Sequence, residues 1–170
     1  MRILIVSLLV LVNVILESTV FQYLRIWGVK PDFATIIIVS YAIMRGSSYG
    51  AFIGLGSGLL LDMLYGRTIG INAISYMITG YIIGQAHENV FKDSFIPAVI
   101  FNIGAVFLQQ NLCFLATYLS NNFGGNGVSY IYILVKDIIP LCLYNGIIGG
   151  IVYRYLYKLD TRKFMDRRIY

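Results

Sequence analysis

Apolar residues run along this chain in long blocks separated by short polar stops. The blocks lack the strict alternation of a half-buried strand, and most are too long and too uniformly apolar for a surface helix. A helix needs about 20 residues to cross the hydrocarbon core of a bilayer. Residues 3–24 form a first block of that length and carry Asn13 and Glu17. A loop follows from Arg25 to Pro31. Pro31 suits a helix start, where a missing N–H costs nothing, and Asp32 suits the positive end of the helix dipole. Residues 33–44 are apolar but short, which predicts either a short span or a re-entrant piece. Further spans are predicted over 49–65, 69–85 and 95–119, then a Gly- and Asn-rich loop over 120–129. The last span, 130–157, is interrupted by Lys136, Asp137 and Pro140. The pattern yields about six transmembrane helices, or five if 33–44 is re-entrant.

Composition supports membrane residence. Of 170 residues, 58% are hydrophobic and 12% charged, against about 25% charged in a soluble domain. There is too little polar surface to cover a water-soluble core. The chain reads as one all-α membrane domain over residues 1–157, followed by a basic tail over 158–170. The net charge of +5 does not point to nucleic acid, because the basic residues gather just after an apolar span. Arg154, Lys158, Arg162, Lys163, Arg167 and Arg168 predict a cytoplasmic C-terminus lying on anionic lipid. Six spans put Arg2, Arg45 and Lys92 on the same side as that tail. Five spans put Arg25, Lys30 and Arg45 there instead, so charge leaves the span count open. The N-terminal block has no small-residue cleavage site after it and is read as a retained span. Cys113 and Cys142 lie within apolar segments and read as small apolar fillers.

Several polar and small residues recur at helical spacing. Gly50, Gly54 and Gly58 stack on one face, and Asp62 extends the series. Small-residue stripes let helix backbones approach closely in lipid, so this face packs on another helix of the chain or docks a partner's. Asp62, beside Tyr65 and Arg67, is expected to reach the interface or to pair with Arg67. Asn72, Tyr76, Gly80 and Gly84 share a face that is expected to pack on the preceding span. Gly146 and Gly150, with Gly149, form a third packing face. Lys136 is expected to snorkel to the headgroups, and if Lys136 and Asp137 lie deep, Glu17 is the candidate partner for Lys136. His87 and Glu88 are expected in a solvated loop. There is no nucleophile paired with a base, no carboxylate dyad, no phosphate loop and no metal-ligand spacing. No enzyme activity, cofactor or metal is expected.

The order of these features resembles the rod-shape-determining MreD family of bacteria. The resemblance rests on the Glu17-bearing first span, Lys30-Pro31-Asp32, Met44-Arg45-Gly46, Gly50–Gly58 and Leu59–Asp62. It continues through Gly66, Gly70-Ile71-Asn72, Tyr76, Gly80 and Gly84. Its specific part runs from Pro31 to Gly84. The resemblance implies a six-span, multi-pass protein of the bacterial inner membrane without catalytic activity. It also implies a bundle similar to substrate components of energy-coupling-factor transporters. By the same resemblance, the chain would work in the cell-elongation machinery, bind the single transmembrane helix of MreC, and connect peptidoglycan synthases with MreB filaments. Anionic lipids are the further expected partner. The alternative reading is a membrane-embedded small-molecule binding component of a transporter, with Asn72, Tyr76 and Glu17 as its pocket residues. The first span lacks the small-residue repeat such a component would need for docking.

Overall fold

The structure, a computed structural model, describes residues 30–65, 70–90, 94–120 and 130–160, together with Val12. Glu17, Arg67, Lys92, Arg162, Lys163, Arg167 and Arg168 lie outside the described residues, as does the first span apart from Val12. The described elements are helical. They are α1 (Phe33–Arg45), α2 (Ser47–Tyr65), α3 (Ile71–Gly84), a 3-10 turn (Gln85–Glu88), α4 (Phe95–Ser120) and α5 (Tyr130–Asp160). Two helices, Phe95–Leu119 and Tyr130–Asp160, are long and apolar enough to cross a membrane.

The short helix α1 is the core. Its 13 residues span about 20 Å, less than the roughly 30 Å of a hydrocarbon core. Every residue from Ala34 to Met44 is buried, because α2, α3, α4 and α5 all pack around it. A helix that is apolar on all sides belongs in such an interior. It is one continuous helix, so Lys30 before it and Arg45 at its end stand at opposite ends, about 20 Å apart.

One residue, Gly46, joins α1 to α2. Its φ of +94° is a backbone state that a side chain would strain. At this end Arg45 forms an ion pair with Asp160, tying the ends of α1 and α5 together. His87 Nδ1 donates to the Ile43 carbonyl at 2.7 Å. That carbonyl belongs to the last turn of α1, where no intrahelical donor remains. His87 is therefore half-buried and engaged, not in the solvated loop expected of it.

Glycines close two helix pairs. A Cβ on Gly50 would fall on the Gly80 carbonyl, one on Gly54 on the Tyr76 backbone, and one on Gly58 on Ala73. In return, Gly80 meets Gly50 and Gly84 meets Ser47. The α2 and α3 backbones are thus in contact along the whole stripe. On α5, Gly146 faces Ile103, Gly149 faces Asn102 and Gly150 faces Val99, all on α4. These eight glycines all meet helices of their own chain.

The last helix changes its winding where the sequence suggested an interruption. Residues Tyr130–Ile133 lead into a π turn, Leu134–Ile138, and the helix resumes over Ile139–Asp160. Pro140 supplies the reason. It has no N–H for the carbonyl four residues back, and its ring crowds that carbonyl, so the turn before it widens. Lys136 and Asp137 are exposed on this turn. Lys136 donates to the Tyr132 hydroxyl at 2.5 Å and lies 4.9 Å from the ring centroid. Arg154 and Lys158 belong to the helix, which continues through Asp160 rather than ending at 157.

Candidate functional site: two capped helix ends inside the bundle

The polar residues of the recognisable block converge on two helix N-termini. The first is that of α1. Pro31 needs no acceptor for an N–H, and Asp32 is the N-cap residue. Asp32 is only 8% exposed. Its Oδ1 accepts from the Thr35 amide at 3.0 Å, and its Oδ2 from the Thr35 hydroxyl at 2.6 Å. The Tyr76 hydroxyl of α3 donates to the same Oδ2 at 2.8 Å. The Asp32 amide donates to Asn145 Oδ1 of α5 at 2.9 Å. Asn145 Nδ2 in turn donates to the Leu141 carbonyl at 3.0 Å. A carboxylate at apolar depth is costly unless donors surround it. Here the helix's own Thr35 amide and two hydroxyls, of Thr35 and Tyr76, offset that cost, and the dipole of α1 favours the negative charge.

The second end is that of α3. Its N-cap position is Gly70, at φ +105°, which has no side chain to offer. Asp62 of α2 takes that role. It accepts from the amides of Gly70 (2.8 Å), Asn72 (3.2 Å) and Ala73 (3.1 Å), and from Asn72 Nδ2 at 2.8 Å. These backbone donors are the orphan groups an N-cap side chain would satisfy. Asp62 is 1% exposed. The α3 terminus, which has no side-chain cap of its own, draws Asp62 inward, and Arg67, the partner the sequence suggested for it, lies outside the described residues.

The two ends are linked through α3, since Asn72 and Tyr76 sit one turn apart on the same face. A third helix joins on the other side. Cys113 of α4 donates to Asn72 Oδ1 at 3.3 Å, and Gln109 Nε2 donates to Cys113 Sγ at 3.3 Å. Cys113 is thus a polar link as well as a filler, whereas Cys142 is buried among apolar neighbours. Gln109, Asn102 and Asn145 were not singled out from the sequence. Their signal was an amide side chain inside an apolar span, where it needs a hydrogen-bond partner. Asn145 meets the Asp32 amide, whereas Asn102 and Gln109 bond within α4, to the Ala98 carbonyl and to Cys113. Among the described residues no group of three or more His, Cys, Asp and Glu could hold a metal ion. The arrangement holds helix ends together: each carboxylate is occupied by donors of its own fold.

A family model described as rod shape-determining protein MreD matches residues 1–163. The chain belongs to the MreD family. The match extends well beyond the block from Pro31 to Gly84 that carries the resemblance in the sequence, and covers both long helices. MreD-family proteins are membrane proteins with a role in rod-shape determination, which agrees with the apolar helices here. No curated protein and no solved structure matches this MreD-family chain. Asn72 and Tyr76, two of the three pocket residues of the transporter alternative, are engaged by Asp62 and Asp32, and the third, Glu17, lies outside the described residues.

The Tyr76–Asp32 bond can be measured singly. Tyr76→Phe keeps the ring and removes one interhelical hydrogen bond, worth about 1 kcal/mol in a membrane protein. The expected result is a melting temperature lower by about 2–4 °C in detergent. An unchanged melting temperature would mean that this bond contributes nothing.

Proposed function

We propose that this chain is a non-enzymatic membrane scaffold of the bacterial cell-elongation machinery. It binds the transmembrane helix of MreC and connects peptidoglycan synthesis with MreB filaments. The family match over residues 1–163 carries this reading. The glycine faces are occupied within the chain, which supports docking of a partner helix on the outward faces of α2 and α3, where Phe52 and Ile74 are exposed.

The chain crosses the membrane six times with its C-terminus in the cytoplasm. The continuity of α1 favours six spans over five. The spacing of charges along α5 agrees: Lys136 and Arg154 are separated by about 27 Å of helix, close to one hydrocarbon thickness. Each cation then sits at an interface, and the end bearing Arg45, Arg154 and Lys158 is the positive, cytoplasmic one.

Affinity purification of the tagged chain from native membranes tests the proposal. MreC should be recovered with it, and wall synthases in smaller amounts. Recovery of a normally inserted chain without MreC would contradict the scaffold role.

A further inference from the structure

An apolar groove of about 560 Å³ runs between α4 and α5. Phe95 and Val99 form one wall, and Ile147 and Ile151 the other, with Gly150 at the floor. One end of the groove is polar, closed by Arg154, Tyr155 and Lys158, all of them exposed. We propose that this groove binds one anionic phospholipid, its acyl chain against Ile147 and Ile151 and its phosphate at Arg154 and Lys158.

Three observations lead there. The first is length: Ile147 to Lys158 covers about 16 Å of helix, the depth of one leaflet of a hydrocarbon core roughly 30 Å thick. The second is charge. Arg154 and Lys158 are four residues apart and stack on one face, and Tyr155 stands beside them at headgroup level, where amphipathic rings belong. Asp160, the nearest carboxylate on this helix, is turned to Arg45 on the α1 side. The third is lining: between its ends the groove is walled by Phe95, Val99, Ile147 and Ile151, an apolar surface that suits an acyl chain.

Native mass spectrometry of the full chain in mild detergent tests this, with phosphatidylglycerol and phosphatidylethanolamine as probes. The wild-type chain should retain one phosphatidylglycerol in preference to phosphatidylethanolamine. The exposed pair R154Q/K158Q should weaken phosphatidylglycerol by about 30-fold, since each cation near an anionic surface contributes about a factor of five. I151W, which fills the groove and leaves the cations in place, should abolish retention of either lipid. Equal retention of both lipids would overturn the proposal, as would unchanged retention by I151W. A photo-reactive side chain at position 151, irradiated in intact membranes, separates the possible occupants. A lipid adduct supports the proposal. An adduct with another polypeptide, or with the chain's own first 29 residues, overturns it.

Discussion

Asp62→Ala is expected to lower the melting temperature of the purified chain by about 10 °C or more. The substitution strips the α3 N-terminus of its acceptor. Three amides, those of Gly70, Asn72 and Ala73, lose their partner together with Asn72 Nδ2. In water, solvent would replace the carboxylate at once. Asp62 is 1% exposed, so the donors remain buried and unpaired. Hydrogen bonds to a charged acceptor are worth about 1.5–3 kcal/mol each, and orphaned buried donors cost a similar amount. These terms overlap, and the helix start relaxes in part, which leaves a net loss of about 3–5 kcal/mol. Asp62→Asn keeps one carbonyl acceptor and should lose roughly half as much. Thermal unfolding followed by circular dichroism in detergent checks both. A melting temperature within about 1 °C of wild type for Asp62→Ala would mean that the α3 end is not capped by this residue.

The second large effect is at the glycine stripe. Gly54→Leu places a branched side chain where the Tyr76 backbone already lies. No rotamer avoids backbone atoms, so α2 and α3 must separate and the Gly50–Gly80 contact opens with them. Overpacking against side chains costs about 1–3 kcal/mol, and backbone cannot give way as side chains do, so the loss here is larger. The expected outcome is loss of the folded chain from membranes. Gly56, two residues on, is the control. It faces outward with nothing within 4 Å of an added Cβ, so Gly56→Ala should be neutral or stabilise the helix by up to about 1 kcal/mol. Equal membrane levels for Gly54→Leu and Gly56→Ala, measured by immunoblot, would contradict the packed α2–α3 pair.

The helices were legible in the hydrophobic pattern. Residues 33–44 are realised as Phe33–Arg45, and 95–119 as Phe95–Ser120. Their surroundings were harder to read, because hydropathy cannot separate a helix sheathed by protein from one bathed in lipid. That is why the sequence left α1 as a short span or a re-entrant piece without showing that the other helices sheathe it. The four-residue glycine spacing identified close packing, but spacing within one helix does not name the helix that covers it. The capping role of Asp62 was hidden for a related reason: its sequence neighbours, Tyr65 and Arg67, drew attention to the span end, whereas its donors begin eight residues on, at Gly70. A glycine at a helix start offers no cap, and that vacancy was the available clue. Asp32 was read correctly as a helix-start residue, yet its ties to Tyr76 and Asn145 depend on α3 and α5 meeting at that depth.

These observations give the residues that make the family recognisable an internal use. The sharpest measurement is the ratio of MreC to folded chain recovered from membranes that carry Gly54→Ala, taken with the melting temperature of that variant. An internal stripe predicts a lower melting temperature and less folded chain, with MreC per folded chain unchanged. Full stability with MreC lost would show the stripe to be the docking surface, and would contradict the packing described above.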